Sequence, residues 1–149
     1  MVSLPQRYLL SASGVTIMRF ENRDTEVFMY LLRDFVADKN TSLLPVGEFY
    51  KNDPTKTLLG YYDDNYIYII PSVIVGLCDD FLTRLGKPRI NIRTVLNTLF
   101  RANLIKVGWV MRKDVRYRPE KRIGGKRRRY ITFIRRELAR ERGERKAAD

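Results

Sequence analysis

Two groups of side chains in this sequence have the types and spacing that binding chemistry requires, and both groups are basic. The first follows Asn91 on a predicted helix, where Arg93 and Asn97 are four residues apart and share one face. In a DNA groove, arginine can pair with guanine and asparagine with adenine. The predicted polar face has no acidic residue and consists of Arg93, Thr94, Asn97, Thr98 and Arg101. This pattern predicts a helix that reads nucleic acid, although a merely solvated helix face has a similar composition.

The second group is a basic stretch over residues 112–129. It also contains Tyr117 and, one residue further on, Tyr130, and its acidic residues are Asp114 and Glu120. Guanidinium groups hold phosphates in a fork, and aromatic rings can stack on unpaired bases. Gly124-Gly125 predicts a tight turn where the backbone can approach a phosphate. The predicted contacts are Arg112, Arg116, Arg118, Arg122, Lys126, Arg127, Arg128 and Arg129. An acidic protein or a membrane surface would also suit such a basic loop.

Several kinds of chemistry are excluded by composition. The chain has no histidine and one cysteine, Cys78, which excludes zinc sites built from those ligands and any Ser-His or Cys-His catalytic pair, although an all-carboxylate metal site passes this test. Asp63-Asp64 follows two tyrosines, as in the Tyr-x-Asp-Asp motif of reverse transcriptases, but turn formation explains it better. Asp79-Asp80 is predicted to be solvated on the polar face of a helix, and Cys78 to be buried on the apolar face. We therefore predict no enzyme activity, catalytic residue, metal or cofactor.

The positive charge is confined to one part of the chain. The 149 residues carry a formal net charge of +12. Residues 1–100 have 11 Lys and Arg against 11 Asp and Glu, whereas residues 101–149 have 18 against 6. Such asymmetry is costly in self-repulsion and is typical of proteins that bind a polyanion. The first hundred residues therefore resemble a scaffold, and the last fifty contain the predicted binding surface.

The elements that must position these residues follow from local patterns. Helical spacing of apolar residues predicts three helices, the first capped by Asp24 and the third ended by a left-handed Asn103. Pro45, Gly47 and the Asn52-Asp53-Pro54 run predict a loop between the first helix and the first hairpin. The predicted elements are a helix at 24–38, a loop at 41–56, strands at 58–62 and 66–70, a helix from 71 to the stop at 86, a helix at 91–103, and strands at 104–111 and 129–134.

This order is that of a winged helix-turn-helix domain. We therefore predict an α+β fold with three helices, a small antiparallel sheet and a basic wing. The predicted organisation is an N-terminal extension at 1–23 with a short strand at 15–20, the winged-helix domain at 24–134 and a charged tail at 135–149.

Three segments carry a resemblance to a known family. They are residues 60–71 (GYYDDNYIYIIP), the end of the third helix at 101–105 (RANLI) and residues 121–127 (KRIGGKR). Together they resemble the C-terminal winged-helix segment of helicase/primase-like ATPases of phages, plasmids and other mobile elements. The resemblance covers residues 24–134 and implies a DNA-binding appendage. The sequence has no phosphate-binding Gly-x-x-x-x-Gly-Lys-Ser/Thr loop, so the ATPase core itself is not part of it.

The function expected from these observations is DNA binding, to double or single strands, in the replication or transfer of a mobile element. A replicative ATPase or a second copy of the chain is the expected protein partner, and no membrane is expected. We expect a cytoplasmic protein, since no secretory signal or membrane-spanning run is evident. Two alternatives stay open: a dimeric transcriptional regulator, and a basic module that docks an acidic protein.

Overall fold

Helices and strands are mixed along the chain in the computed structural model, which describes residues 20–47, 51, 53–108 and 116–140. The helices are α1 (Arg23–Ala37), α2 (Pro71–Arg84), α3 (Ile92–Arg101) and α4 (residues 135–140). The strands are β1 (Thr41–Pro45), β2 (Thr57–Tyr62), β3 (Tyr66–Ile69), β4 (Ile105–Lys106), β5 (Glu120–Ile123), β6 (Lys126–Arg129) and β7 (Ile131–Ile134).

The strands form two separate sheets. Five of them make a mixed sheet in the order β1-β2-β3-β7-β4, in which β1 and β2 are parallel and the other neighbours are antiparallel. The remaining pair, β5 and β6, is an antiparallel hairpin of its own. The sheet is therefore complete only when β7, which comes late in the sequence, pairs with both β3 and β4.

The predicted α+β class is found, but the three-helix winged helix with a small antiparallel sheet is wrong. In the described part of the chain there are four helical segments, a five-stranded mixed sheet and a second sheet. The error begins at residues 41–45, which were predicted as loop and form β1, parallel to β2. Pro45 is tolerated there because it is the last residue of an edge strand, where the missing N–H breaks no ladder.

Two further strand predictions needed correction. The run 129–134, predicted as one strand, is interrupted at Tyr130: Arg129 is the last residue of β6 in the hairpin, and residues 131–134 form β7 in the five-stranded sheet. Of the run 104–111, only Ile105–Lys106 is a strand among the described residues, and 109–111 lie outside them. The strand predicted at 15–20 also lies outside, except for Phe20. The hairpin of β2 and β3 and the three predicted helices are confirmed to within a few residues at each end.

The two faces of the five-stranded sheet pack against different elements. Along β3, Ile67 and Ile69 point to the helices, where one apolar core joins α1, α2 and α3 to the sheet. Tyr66 and Tyr68 point to the opposite face, where Ile123 of the hairpin packs. The molecule therefore has three layers, with the helices on one side of the sheet and the hairpin on the other.

Side-chain caps and one close backbone contact fix the local geometry. Asn22, rather than the predicted Asp24, caps α1, because its side chain accepts the Thr25 N–H at 2.9 Å. Asn91 caps α3 as predicted, and Asn103 adopts a positive φ of 61°. At Gly60 a Cβ would lie 1.8 Å from the carbonyl oxygen of Tyr68, so only glycine lets β2 approach β3 here. No described helix is long and apolar enough to cross a membrane.

Candidate functional site

The β5–β6 hairpin holds most of the predicted contact residues and sorts its side chains by face. Gly124 and Gly125 both have positive φ, of 61° and 79°, which is the geometry of a tight two-residue turn. In the ladder Arg122 is opposite Arg127, and Glu120 is opposite Arg129. Because directly opposed residues share a face, these four side chains lie together. We call them the outer hairpin face.

The other face of the hairpin packs on the protein through its β5 residues, while its β6 residues, Lys126 and Arg128, are exposed. Ile123 is only 8% exposed and packs with Tyr68 and Tyr130, whose rings meet edge to face at 6.1 Å. The Nζ of Lys121 lies 5.6 Å from the centre of the Tyr68 ring. The hairpin is thus fixed against the sheet by its inner side chains, and the alternate residues are directed to solvent.

Asp63, at the turn between β2 and β3, supports this contact. Its Oδ2 accepts the Tyr68 hydroxyl at 2.7 Å, and its Oδ1 accepts the backbone N–H groups of Asn65 and Tyr66. Partial burial acts to raise the pKa of Asp63, but these hydrogen bonds and the charge of Lys121 outweigh it, so the pKa is lowered. Burial, and then Asp63, raise the pKa of Tyr68. The tyrosine therefore stays a neutral hydrogen-bond donor to an ionised carboxylate.

The cations of the hairpin are exposed and unneutralised. Arg122 and the whole of β6 are solvent-exposed, and none of them forms a salt bridge with a described residue. Arg129 donates from Nη1 to the carbonyl oxygen of Arg118 at 3.1 Å. Glu120 is the one carboxylate in the ten residues of the hairpin, against six cations. The outer hairpin face can therefore hold anions with several guanidinium groups at once.

The predicted face of α3 is largely engaged within the protein. Thr98 is 5% exposed, and its hydroxyl accepts Nδ2 of Asn22 at 2.8 Å. Asn97 accepts the Tyr117 hydroxyl at 3.2 Å, and Arg101 pairs with Glu21 at 2.9 Å. Thr98 thus lies on the buried side of α3 and not on the predicted polar face. Only Arg93 and the half-buried Thr94 have no such side-chain partner among the described residues.

A short segment after the undescribed residues 109–115 joins α3 to the hairpin. The Tyr117 ring lies 5.6 Å from that of Phe100, and the guanidinium carbon of Arg116 is 5.3 Å from the centre of the Phe100 ring. The carbonyl oxygens of Arg118 and Pro119 then accept from Arg129 and from the Tyr130 N–H. The structure thus brings Asn97, Arg116, Arg118 and the hairpin into one connected region. Arg112 lies outside the described residues.

The aromatic residues predicted to stack on bases are used inside the protein. Tyr130 is 2% exposed, packed between Tyr61 and Tyr68, and burial raises the pKa of its hydroxyl. Tyr117 is half-buried against Phe100. The burial of Tyr130 therefore rules out stacking on bases. The sequence analysis missed this burial because it assigned Tyr130 to the basic stretch rather than to the core.

The acidic pairs and the cysteine have different surroundings. Of the pair predicted to be solvated, Asp80 is exposed, but Asp79 is half-buried and its Oδ1 is buried without a hydrogen-bond partner among the described residues, because it lies beside the buried face of α2. Asp63 forms the turn that was predicted for it. Cys78 is buried, as predicted, and burial together with the nearby Asp79 raises its pKa to about 12. Among the described residues, no group of three or more His, Cys, Asp or Glu side chains is placed to hold a metal ion.

Comparison of the chain with protein-family models, with curated proteins and with solved structures gives no match. The resemblance to helicase/primase-like ATPases therefore stays a prediction from the three segments quoted above. The assignment of function depends on the geometry of the hairpin and of α3.

One contact of the region was missed by the sequence reasoning. Lys121 was counted with the basic stretch, but its ammonium lies over Tyr68 and near Asp63. Side chains alternate along β5, so Lys121 and Arg122 lie on opposite faces of the hairpin. Sequence reasoning could have predicted this placement only if residues 120–123 had been recognised as a strand.

Proposed function

We propose that this chain is a non-enzymatic DNA-binding protein that contacts the phosphate backbone through the outer hairpin face. One observation carries the proposal: the ladder register places Arg122, Arg127 and Arg129 on one exposed face, while Ile123 and Lys121 fix the opposite face to the sheet. A disordered basic loop would not separate its cations in this way.

The arrangement suits a row of phosphates on physical grounds. Opposed side chains start about 5 Å apart, and alternate residues on one strand about 7 Å apart, so the three guanidinium groups can reach different phosphates. The hairpin is already folded on the sheet, so binding requires ordering of the arginine side chains but not of the backbone. Neutralised phosphates release condensed counterions, which makes the binding depend strongly on salt.

The biological process follows from the resemblance alone and is part of the proposal. We propose a role in the replication or transfer of a mobile element, with a replicative ATPase or a second copy of the chain as protein partner. A free-standing regulator is less well supported, because the groups on α3 that would read bases are engaged within the protein. Double- and single-stranded DNA are both ligands to be compared.

The test is a binding titration at several salt concentrations with the triple variant Arg122→Gln, Arg127→Gln and Arg129→Gln. Removing one phosphate interaction should reduce the salt slope by about 0.7 on single strands and about 0.9 on duplex DNA. We expect the slope to fall by about two to three units in the triple variant, and by the same amount on unrelated sequences. Circular dichroism checks that the variant is folded.

The matched control removes three exposed cations elsewhere, by Lys39→Gln, Lys51→Gln and Lys56→Gln. It lowers the net charge equally and should leave the slope within about one unit of the wild-type slope. If the hairpin variant and the control behave alike, the binding is diffuse attraction and the proposal is wrong. If the unaltered chain binds no DNA near physiological salt but captures an acidic protein, the docking alternative replaces it.

A further inference from the structure

A second group of exposed cations lies where α2 turns into α3. Arg84 is in the last turn of α2, Lys87 and Arg89 are in the connection, and Arg93 is in the first turn of α3. All four side chains are exposed. The sequence has no Asp or Glu between residues 81 and 113. None of these four side chains forms a salt bridge within the described structure. This turn is therefore a net positive patch of four cations, with the Asp24 carboxylate beside it at the N–H of Asn91.

Three backbone donors at this turn, those of Asn91, Arg93 and Thr94, are already used within the protein. Asn91 accepts the N–H groups of Arg93 and Thr94 on its own side chain. The N–H of Asn91 donates to Oδ2 of Asp24 at 2.9 Å. The cations that extend from the turn are thus the groups available to contact a ligand.

A chain of contacts connects this patch to the outer hairpin face. Arg93 and Asn97 are one helical turn apart on α3. Asn97 bonds to Tyr117, and the next residue, Arg118, bonds through its carbonyl oxygen to Arg129 of the hairpin. These contacts therefore run in a line from the hairpin, past Arg116 and Arg118, along α3 to the turn.

The groups along this line can hold phosphates but have little capacity to read bases. The Asn97 amide oxygen and the Thr98 hydroxyl are occupied by Tyr117 and Asn22. Arg101 forms an exposed ion pair with Glu21. What the line offers to a ligand is guanidinium and ammonium groups, which bind phosphate irrespective of sequence.

We infer that Lys87 and Arg89, with Arg93, form a second phosphate-binding surface, and that one DNA backbone follows the line from the outer hairpin face to this turn. The inference rests on the proposed function, since it extends the same DNA contact. It also specifies the ligand as DNA backbone without regard to sequence.

The test uses the double variant Lys87→Gln and Arg89→Gln in the full chain, with a random-sequence duplex of about 20 base pairs. Removing two phosphate interactions should reduce the salt slope by about 1.8 units, and by the same amount on a second, unrelated sequence. The matched control is Lys39→Gln and Lys51→Gln. These two exposed lysines lie before and after β1 in the sequence, outside the α2–α3 turn. Arg93→Gln, in the first turn of α3, is an independent variant that should lower the slope by about 0.9.

The outcomes separate the inference from the proposed function. If the turn variants keep the wild-type slope while the hairpin triple variant reduces it by two units or more, the inference is wrong and the proposed function stands. If neither set of variants changes the slope, both are wrong. If the turn variants weaken binding to one sequence and not the other, the surface reads bases, and sequence-independent contact is overturned.

Discussion

The third helix and the β5–β6 hairpin were both predicted to contact DNA, yet they are built in opposite ways. On α3 the polar groups that could read bases bond to Asn22 and Tyr117, while Leu99 and its neighbours fill the core. On the hairpin a single buried side chain, Ile123, fixes the strands to the sheet and leaves the arginines exposed. The helix therefore contributes mainly to stability, and the hairpin presents the exposed cations on which the proposed binding depends.

This difference shows that residue type alone does not indicate whether a polar side chain is free to contact a ligand. An asparagine or threonine on a helix finds partners within the protein as readily as in a DNA groove. The arginines of β6 stay exposed, although Arg129 donates to the carbonyl oxygen of Arg118. Four measurements test this difference between α3 and the hairpin.

The largest expected effect is on the buried side of α3. Leu99 is fully buried in the core, so Leu99→Ala should lower the free energy of unfolding by about 2–5 kcal/mol through reduced burial and the cavity left behind. Denaturant unfolding measures it. Val36→Ala on α1, where the side chain is 45% exposed, is the control and should change stability by less than about 1 kcal/mol. Equal effects would contradict the structural role of α3.

The next effect concerns the buried hydroxyl of α3. Thr98→Val keeps the side-chain shape but leaves Nδ2 of Asn22 without its acceptor, which should cost about 1–2 kcal/mol of stability. Thermal unfolding measures the cost, and competition between two DNA sequences should show unchanged preference. A changed preference with unchanged stability would return α3 to the role of a base reader.

A pH-dependent effect is expected where the hairpin contacts the sheet. The pKa of Asp63 is lower in the fold than in the unfolded chain, so its ionised form stabilises the fold above about pH 4, and this contribution disappears as the pH falls through the folded-state pKa. Asp63→Asn should therefore cost about 1–2 kcal/mol near neutral pH and much less near pH 2. Unfolding at both pH values measures it.

The neighbouring Asp64→Asn is the control for this measurement. Asp64 is exposed, and its side chain forms no hydrogen bond with the described residues. Its substitution should leave the unfolding curve unchanged at both pH values. If Asp63→Asn lowers the free energy of unfolding equally in acid, the hydrogen-bond geometry of the Asp63 side chain, and not its charge, stabilises the turn.

The smallest effect is a gain. Glu120 is on the outer hairpin face opposite Arg129, so its carboxylate repels a phosphate backbone there. Glu120→Gln should tighten DNA binding about two- to fivefold, as expected for an exposed charge worth less than about 1 kcal/mol. Binding titration at low salt measures it. Glu137→Gln, on α4, is the comparison and should leave the affinity nearly unchanged.

Features that depend on neighbouring residues in the sequence could be predicted. The hairpin of β2 and β3, the cap at Asn91 and the Gly124-Gly125 turn each follow from local chemistry. Features that depend on distant partners could not. Residues 41–45 become a strand because β2 lies beside them, and Thr98 is buried because Asn22, 76 residues earlier, bonds to it.

The same limit applies to the candidate site. The basic stretch was evident from composition, but its division into an outer and an inner face required the β5–β6 register. Tyr130 was placed among the cations because it adjoins three arginines, whereas its ring packs on Tyr61 and Tyr68 across the sheet. Sequence located the cations, and long-range packing decided which of them face solvent.

The position of β7 has a consequence for synthesis. This strand lies between β3 and β4, although both precede it in the sequence, by about 60 residues in the case of β3. Until the ribosome has released residues 131–134, β3 and β4 have no shared neighbour and their backbone groups stay unpaired on that side. Nascent chains shorter than this expose a sheet edge and the Ile67–Ile69 surface, which invites association with other chains. A translational pause before the release of β7 would thus be harmful, whereas one after its release would leave a complete sheet.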